Sequence, residues 1–406
     1  MIPMNSKEFD KIKYYCGERS LKSILNETPF PIFSDKVVKL FDNISKDILK
    51  SKNIRNFPDL ASFAFYCRKK NLLQIKNNYQ NHINYRSGRG LALHFTPSNV
   101  PLNFAYSLFF SLISGNVTLL RIGDNTYKQS TTFLKILNNK LKKKEFLLLK
   151  KKISIFNYEK NIKITDYLSD KCQIRIMWGG DNSINQIRES KLNPSAYELT
   201  FPDRYSICII ASKQYFDSRN YETEAINFYN DTLTFDQNAC TSPRLIVWLG
   251  SVQENSKARK KFWDSFNKIL NKRKYLSKES TIIQKIKSQY AAAIELGVKN
   301  TQLIKNKNVK NTEIKLFPKN LEKFIAPGGF FLEYQCRNLK SLKNRISSKL
   351  QTITTIGITN EEILKKMNAL QSKGIYRIVA NGRSSDMEII WDGYEIIFHM
   401  SKRINF

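Results

Sequence analysis

Two kinds of hydrophobic pattern follow one another along the chain. Residues 1–80 are polar, and their apolar residues recur at helical spacing, as in the stretch from Val37 to Leu49. This part predicts a helical lead-in. From Leu91 onward, short apolar runs bounded by Gly, Pro and Asn alternate with longer amphipathic segments, which is the pattern of strands that alternate with helices.

The alternating part predicts a doubly wound α/β domain over roughly 85–212. Its predicted strands are LALHF, VTLLRI, KISIFNY, CQIRIMW and RYSICIIAS, and its predicted helices include LNFAYSLFFSLIS, TTFLKILNNKL and SINQIRES. The first of these helices is apolar around most of its circumference and closes on Gly115, which predicts a buried helix with a glycine at its C-terminus.

The second half of the chain has a weaker pattern. RLIVWL predicts a strong strand, and residues 251–320 are rich in Lys, which predicts helices joined by long surface loops. The tail WDGYEIIFHMSKRINF predicts a turn followed by a strand. A terminal strand of this kind is often tied into another sheet, within one subunit or between two.

The chain of 406 residues is strongly basic, with 67 Lys and Arg against 35 Asp and Glu and a net charge of +32. Such a balance points to a nucleic acid, an anionic membrane or a phosphate-rich cofactor. Lys is spread along the chain, however, and Lys, Asn and Ile are abundant throughout, as expected from an AT-rich genome. This spread favours a compositional origin over a nucleic-acid surface, which should be clustered.

The cysteines and histidines argue against several classes of protein. Six cysteines are scattered without a CxxC pair, and three histidines form no cluster with metal-ligand spacing, so we expect no metal site. Scattered cysteines in a chain of this length indicate a reduced, cytoplasmic protein. The N-terminus lacks an apolar signal region, and no apolar stretch is long enough for a membrane span.

The best candidate for chemistry is Cys240, in the segment FDQNACTSPRLIVW. It follows a loop and precedes a strong strand, where a thiolate can be accessible beside backbone N–H groups. On spacing alone, a lone cysteine is more often an inert, buried small hydrophobic residue.

Three further segments carry polar or glycine positions with chemical potential. Asn99, in the Pro-framed turn TPSNVP, could donate to an oxyanion, or it could simply form a turn or helix cap. The two glycines of MWGGDNS lie between a strand and a helix, so they either let a phosphate approach the backbone or form a tight turn. Glu198, just before a buried strand, could be a base, a ribose contact or a surface carboxylate.

Taken in order, these segments resemble the aldehyde dehydrogenase superfamily. The closer resemblance is to its acyl-CoA reductase branch, the LuxC-like long-chain fatty-acid reductases. It covers most of residues 85–250 and 325–400, and the segment around Cys240 is its most specific part. The segments that carry it are TPSNVPLNFAYSL, SGNVTLLRI, MWGGDNSINQIRE, FDQNACTSPRLIVW and YRIVANGRSSDMEIIWDGYEII.

The resemblance implies an α/β, aldehyde dehydrogenase-like fold, with a Rossmann-type cofactor domain, an α/β catalytic domain and a C-terminal strand arm. Residues 1–80 would be a helical lead-in belonging to the cofactor domain, and residues 81–212 would be the dinucleotide-binding domain. Residues 213–375 would form the catalytic domain with Cys240, and residues 376–406 would be a strand arm for oligomerisation.

The resemblance also implies catalytic roles. Cys240 would be the nucleophile that takes the acyl group as a thioester, and Asn99, with a backbone N–H near Cys240, would form the oxyanion hole. Glu198 falls where many aldehyde dehydrogenases have a general base. It is followed here by TFPD where the superfamily has glycines, which departs from the pattern.

Four residues would contact the cofactor. Gly179 and Gly180 would lie against it at their strand–helix turn. Asn116 and Arg121 lie where the superfamily has GN…K beside the cofactor ribose. Arg121 replaces the common Lys, and because Arg binds phosphate in a bidentate manner, it favours a 2′-phosphate and therefore NADPH.

The implied function is NADPH-dependent reduction of an acyl group to a fatty aldehyde. The donor would be acyl-CoA or an acyl-protein, an acyl-protein synthetase is a candidate partner, and a homodimer or higher homo-oligomer is expected, without a specific nucleic acid. Two alternatives stay open. One is an NAD(P)-dependent aldehyde dehydrogenase working oxidatively, in which Glu198 would activate water. The other is a basic protein that binds nucleic acid or a membrane surface.

Overall fold

The computed structural model describes residues 6–52, 54–124, 127–299 and 303–405. The strands are β1 (Lys13–Gly17), β2 (Arg86–Gly88), β3 (Leu91–Phe95), β4 (Val117–Arg121), β5 (Ile153–Asn157), β6 (Ile174–Trp178), β7 (Tyr197–Phe201), β8 (Tyr205–Ala211), β9 (Pro243–Leu249), β10 (Val298–Lys299), β11 (Lys310–Ile314), β12 (Phe330–Cys336), β13 (Leu350–Ile356), β14 (Arg377–Ala380), β15 (Ile390–Trp391), β16 (Tyr394–Glu395) and β17 (Ser401–Arg403).

The α-helices are α1 (Ser6–Phe9), α2 (Leu21–Leu25), α3 (Asp35–Leu49), α4 (Pro58–Tyr66), α5 (Lys69–Ile83), α6 (Asn103–Ile113), α7 (Lys128–Leu141), α8 (Leu147–Lys151), α9 (Ile162–Lys171), α10 (Asp181–Arg188), α11 (Ser212–Asp217), α12 (Tyr221–Thr232), α13 (Val252–Lys272), α14 (Ser280–Leu296), α15 (Asn360–Ala369) and α16 (Ile396–His399).

The chain folds into two compact units. The first comprises residues 1–202, 387–390 and 394–406, and the second comprises residues 203–386 and 391–393. Most of the C-terminal tail therefore belongs to the first unit, although the chain between residues 203 and 386 forms the second. The predicted cofactor, catalytic and arm domains are defined by their functions, and this division stays a prediction.

The first unit is built on a six-stranded sheet in the order β1-β5-β4-β3-β6-β7. Strands β3 to β7 are parallel, and β1 runs antiparallel to β5 at one edge. Strands β3 to β6 are buried at almost every position, as expected when helices cover both faces of a parallel sheet. Its hydrophobic core includes Leu93, Leu119, Phe156, Ile164 and Met177.

The C-terminal tail is tied into the first unit. Strand β17 pairs antiparallel with β2, where Ser401 lies opposite Gly88. The side chain of Arg86 reinforces this pairing, because its Nε donates to Ser401 Oγ at 2.8 Å and its guanidinium also donates to the backbone oxygen of Phe398 at 2.7 Å. The tail was expected to be one strand after a turn. It instead contains short strands and the helical turn α16.

The second unit contains a seven-stranded sheet in the order β10-β11-β12-β9-β8-β13-β14. All neighbours from β11 to β14 are parallel, and β10 is antiparallel to β11. Two hydrophobic layers cover its faces. One of them is rich in aromatic residues, among them Trp248, Phe262, Trp263, Phe266 and Phe331.

A buried carboxylate organises that aromatic layer. Glu333 is fully buried on β12 and accepts hydrogen bonds from the indole nitrogens of Trp248 at 2.8 Å and Trp263 at 3.0 Å. Arg259 on α13 pairs with the same carboxylate at 3.0 Å, and Asn311 donates to it at 2.6 Å. These donors leave both oxygens of the buried carboxylate hydrogen-bonded.

The structure confirms the predicted alternation of strands and helices, and it also differs from the prediction outside the C-terminal tail. The helical lead-in also contains strand β1, which pairs with β5. Strand β8, which the pattern placed in the first α/β domain, lies between β9 and β13 in the second sheet. Periodicity identified β8 as a buried strand, but an apolar run on its own does not specify its sheet.

No helix in the described part of the chain is long and apolar enough to cross a membrane.

Candidate active site

The first sheet has a topological switch point between β3 and β6. From β3 the chain proceeds outward through β4 and β5, and then returns to place β6 on the other side of β3. In open parallel sheets, ligands bind outside the carboxyl ends of the strands at such a point. The turn with Asn99 follows β3, and Gly179 and Gly180 follow β6. Three predicted residues therefore follow the two strands that flank the switch point.

The turn that carries Asn99 is anchored at its beginning to the neighbouring strand. The backbone N–H and the side-chain hydroxyl of Thr96 both donate to the carbonyl oxygen of Arg121, each at 3.2 Å. Asn99 itself is exposed in a bend before α6. Its amide can therefore meet a ligand, whereas the turn that holds it is fixed to β4.

The two glycines lead directly into helix α10. Gly180 is the N-cap residue of α10, and no side chain caps the first turn. A Cβ added at Gly179 would find its nearest neighbour, the Cβ of Ser183, at 3.8 Å, which is an ordinary contact. Packing in the protein does not require glycine at position 179. The residue instead leaves backbone open at a helix N-terminus, where a phosphate can bind.

Arg121 ends strand β4 beside this region. Its guanidinium lies 5.0 Å from the ring centre of Tyr158 and donates to the backbone oxygen of that residue at 3.2 Å. The Nε of Arg121 is buried and has no hydrogen-bond acceptor among the residues that the structure describes. A donor in this state fits an anionic group that arrives with a ligand.

Asn116 is fully buried, and its side chain is occupied within the first unit. Its Oδ1 accepts from the N–H of Gly90 at 3.2 Å, and its Nδ2 donates to the backbone oxygens of Met400 at 2.9 Å and Ser111 at 3.4 Å. These contacts make Asn116 a structural clamp. The predicted contact with a cofactor ribose stays a prediction, and it would require the amide to exchange partners.

Glu198 lies on the edge strand β7 between two arginines. Its Oε2 accepts from Arg175 Nε at 3.1 Å, and its Oε1 accepts from Arg188 Nε at 2.7 Å. Burial would raise the pKa of this carboxyl, but the two arginines outweigh burial and lower it. Both oxygens are committed to an ion pair, and this arrangement favours a structural role over that of a general base.

In the second unit, Cys240 follows a loop that is held in place by buried hydrogen bonds. Asp236 and Gln237 adopt positive φ angles of 50° and 54°, which are uncommon for residues other than glycine. The buried amide of Gln237 accepts from the N–H groups of Gly329 at 2.8 Å and Phe330 at 2.9 Å, and its nitrogen donates to the carbonyl oxygen of Pro243 at 3.1 Å. This lock fixes the approach of the chain to Cys240.

The backbone of Cys240 is also fixed. Its carbonyl oxygen accepts from Ser206 Oγ at 2.7 Å, and Thr352 N–H donates to the same hydroxyl at 3.2 Å. Taken as a whole residue, Cys240 is half-buried, whereas the other five cysteines are buried. A fixed backbone at a partly exposed cysteine suits a nucleophile.

The electrostatic surroundings of Cys240 come from distant parts of the chain. Burial raises the pKa of its thiol to about 12, and the Asp392 carboxylate contributes to the rise, while a hydrogen bond from Gln351 and the charge of Arg204 oppose it. Gln351 Nε2 donates to Asp392 Oδ1, and Arg204 lies 3.3 Å from Asp392 Oδ2. In this state Cys240 is a protonated thiol.

The structure thus groups the predicted residues in two places. Asn99, Arg121, Gly179 and Gly180 follow or end neighbouring strands of the first unit, and Cys240 lies in the second. The predicted oxyanion hole formed by Asn99 with Cys240 stays a prediction.

Sequence reasoning missed the buried supports of Cys240. Gln237 belongs to the segment FDQNAC and could have been suspected from its position beside the cysteine. Gln351 and Asp392 lie more than a hundred residues further along the chain, and no local pattern indicates them.

Within the described ranges, no group of three or more His, Cys, Asp and Glu side chains could hold a metal ion.

Comparison with known proteins identifies the family. A family model described as acyl-CoA reductase (LuxC) matches residues 52–403. No curated protein matches the sequence significantly.

Solved structures of aldehyde dehydrogenases share the fold. Aldehyde dehydrogenase 21 from Physcomitrella patens is similar with a TM-score of 0.62 and 11% identity, over 90% of this chain and 84% of that one. An NAD-dependent benzaldehyde dehydrogenase from Corynebacterium glutamicum gives 0.59 and 10%, over 94% and 84%. A 1-pyrroline-5-carboxylate dehydrogenase variant from Thermus thermophilus gives 0.62 and 9%, over 94% and 84%. The predicted aldehyde dehydrogenase-like fold is confirmed.

Proposed function

Because the chain belongs to the acyl-CoA reductase (LuxC) family, we propose that it reduces a fatty-acyl thioester to a fatty aldehyde, with Cys240 as the nucleophile. The observation that carries this proposal is the partial exposure of Cys240 at the end of a fixed loop. It is the half-buried cysteine among six, and its loop is locked by Gln237.

The first half-reaction is acyl transfer to the protein. The sulfur of Cys240 attacks the acyl carbon of the donor, and the bond between that carbon and the donor sulfur breaks. The thiol proton of Cys240 ends on the leaving thiol, so a donor thioester and a protein thiol become a protein thioester and a free thiol. Since the resting Cys240 is protonated, loss of its proton is part of this step.

The residues at the first sheet's switch point fit a nicotinamide dinucleotide phosphate. Gly179 and Gly180 leave room for a pyrophosphate against the N-terminus of α10. Arg121 offers a buried Nε–H that has no acceptor among the described residues, which suits the 2′-phosphate that distinguishes NADPH from NADH. When bound, NADPH supplies the hydride for reduction of the acyl carbon.

The second half-reaction releases the aldehyde from Cys240. A thioester carbonyl is a good acceptor because sulfur donates little electron density to it. The tetrahedral oxyanion on Cys240 then collapses, the carbon–sulfur bond breaks, and the sulfur recovers a proton. Asn99 is proposed to stabilise the oxyanion through its side-chain amide.

The ion pairs of Glu198 favour the reductive direction over the oxidative alternative. An oxidative aldehyde dehydrogenase needs a carboxylate that activates water to hydrolyse the thioester. Glu198 is bonded to Arg175 and Arg188, and these bonds compete with that task. A protein thioester that escapes water persists until it is reduced.

The remaining properties are proposed on the family resemblance. We propose acyl-CoA or an acyl-protein as donor, an acyl-protein synthetase as a candidate partner, a homo-oligomer and a cytoplasmic location. Acyl-CoA is the donor that the family's description names.

The test is turnover measured by NADPH absorbance with saturated acyl-CoA esters of increasing chain length. The wild-type chain is expected to oxidise NADPH and release aldehyde, and Cys240→Ala is expected to lose this activity. Cys172→Ala, at a buried cysteine, is the matched control and should retain it. Activity that survives in Cys240→Ala would overturn the proposal, as would aldehyde oxidation without acyl reduction.

A further inference from the structure

Helix α14 presents an apolar face to solvent. Ile283, Ile286, Tyr290 and Ile294 recur every three or four residues, so they lie on one side of the helix. Their exposed fractions are 64%, 38%, 67% and 84%. Single exposed apolar residues are common on protein surfaces, but a continuous row along one helix marks an interaction site.

The opposite side of α14 packs against the rest of the second unit and combines polar residues with the core residues Ala292 and Leu296. Thr281, Lys285 and Ser288 are buried there. Lys285 Nζ donates to the backbone oxygen of Asn308, and Ser288 Oγ donates to that of Ile325 at 3.0 Å. These contacts fix the rotation of the helix, so the apolar row is held outward.

The part of the chain that contains α14 is strongly basic. From Lys272 to Lys310 the sequence contains ten Lys and Arg residues and two acidic ones. Lys278 and Lys287 are exposed, and Lys287 shares the outer side of α14. An exposed apolar helix face in a lysine-rich part of the chain is typical of helices that lie in the surface of an anionic bilayer. A second copy of this chain would bring the same positive charge against itself.

We propose that the outer face of α14 docks on an anionic lipid surface. Ile283, Ile286 and Ile294 enter the boundary between headgroups and acyl chains, and the lysines remain at the level of the phosphates. Tyr290 has the amphipathic side chain that is favoured at this depth. The proposal does not depend on the chemistry of Cys240, and its failure would leave the proposed reaction intact.

The N-terminal end of α14 lies beside the loop that carries Cys240. The hydroxyl of Tyr275, in the turn before α14, donates to Asp236 Oδ1 at 3.0 Å. Thr281 packs closely against Gly328, whose N–H donates to the backbone oxygen of Asp236 at 2.8 Å. The beginning of α14 therefore lies beside the loop that leads to Cys240.

The test is sedimentation of the full chain with vesicles of phosphatidylcholine alone and of equal parts phosphatidylcholine and phosphatidylglycerol. We expect the wild type to bind the anionic vesicles. Ile283→Ser combined with Ile294→Ser should lower the partition coefficient at least about tenfold. The control pair Val252→Ser with Leu364→Ser, at exposed positions on α13 and α15, should bind like the wild type. Circular dichroism checks that both pairs fold.

Three outcomes would overturn the proposal. The wild type could fail to sediment with anionic vesicles. The Ile283→Ser, Ile294→Ser pair could bind as tightly as the wild type, which would assign the binding to the basic surface in general. Gel filtration could show that this pair converts an oligomer to a monomer and does not affect vesicle binding, which would make the face an interface between copies.

Discussion

Asn116 directly precedes the central strand β4, and its Nδ2 donates to the backbone oxygen of Met400 at 2.9 Å. This hydrogen bond joins the first sheet to the C-terminal tail. The same amide accepts from the N–H of Gly90, where β3 is about to begin. The tail is therefore held by a buried side chain as well as by the pairing of β17 with β2. This explains why residues 394–406 belong to the first unit, although almost two hundred residues of the second unit precede them.

Asn116→Ala should destabilise the protein strongly. The change leaves the Gly90 N–H and the Met400 oxygen buried without partners, and we expect the free energy of unfolding to fall by about 2–4 kcal/mol. Urea unfolding followed by circular dichroism measures this. Asn139→Ala, at an exposed position of α7, is the control and should change the free energy by less than about 0.5 kcal/mol. A weaker affinity for NADPH without a loss of stability would instead support a direct cofactor contact.

Glu198→Gln should mainly lower the free energy of unfolding and should have only a small effect on the rate of acyl transfer. The change leaves the buried guanidinium of Arg175 without its counter-charge, which costs about 2–4 kcal/mol in the free energy of unfolding. The folded pKa of Glu198 is below its ordinary value, so its stabilising contribution is present at neutral pH and is lost as the pH falls below about 4.5.

The exposed neighbour Glu189→Gln is the control for this change and should leave both properties unaltered. Chemical unfolding and single-turnover kinetics distinguish a structural role of Glu198 from a role as general base. A fully stable Glu198→Gln variant that forms the acyl-enzyme but no longer hydrolyses it would restore Glu198 as a general base.

His94 should make the fold sensitive to mild acid. It is fully buried on β3 beside Ser107, and burial lowers its pKa to about 3. Between that value and the ordinary value near 6.5, the unfolded chain binds a proton that the folded chain does not. The free energy of unfolding therefore falls by about 1.4 kcal/mol per pH unit as the pH drops below 6.5.

The measurement is urea unfolding at several pH values between 5 and 7, compared among variants. His94→Leu should reduce the slope of stability against pH, whatever its effect on absolute stability. His82→Leu, at an exposed histidine, should keep the slope of the wild type. An unchanged slope in His94→Leu would contradict this account.

Asp392→Asn should make the Cys240 thiol more acidic. The Asp392 carboxylate raises the pKa of this thiol, so its neutral replacement should move the midpoint of alkylation by iodoacetamide to lower pH by about one unit. Cys240 can be followed by mass spectrometry because the other cysteines are buried. Asp264→Asn, on the exposed side of α13, should not move the midpoint. A midpoint that stays or rises would show that the Asp392 charge does not reach the thiol.

Local pattern was sufficient to predict much of the fold. Strands such as LALHF and RLIVWL were visible because both faces of a parallel sheet are buried, which makes the strand predominantly apolar. Strand β1 was missed because KYYCG carries polar residues and gains its partner, β5, from far along the chain. The sheet to which β8 belongs depends on pairing with β9 and β13, and no local signal encodes that.

The candidate site likewise contains residues that local motifs predict and residues that only tertiary contacts bring together. Cys240, Asn99 and Gly179 lie in turns next to strands, and short sequence motifs can predict such positions. The lock at Gln237 depends on Gly329, and the charge near the thiol depends on Asp392, so both arise only when the chain has folded. Glu198 was placed by motif as a base, but its two arginine partners are a tertiary feature.

The most direct test of the central claim is the intact mass of the protein after incubation with long-chain acyl-CoA, and again after addition of NADPH. The account predicts one acyl adduct on the wild type, no adduct on Cys240→Ala, and loss of the adduct as aldehyde when NADPH is added. An adduct that forms equally on Cys240→Ala, or one that NADPH does not remove, would contradict the assignment of Cys240 as the nucleophile of an acyl reductase.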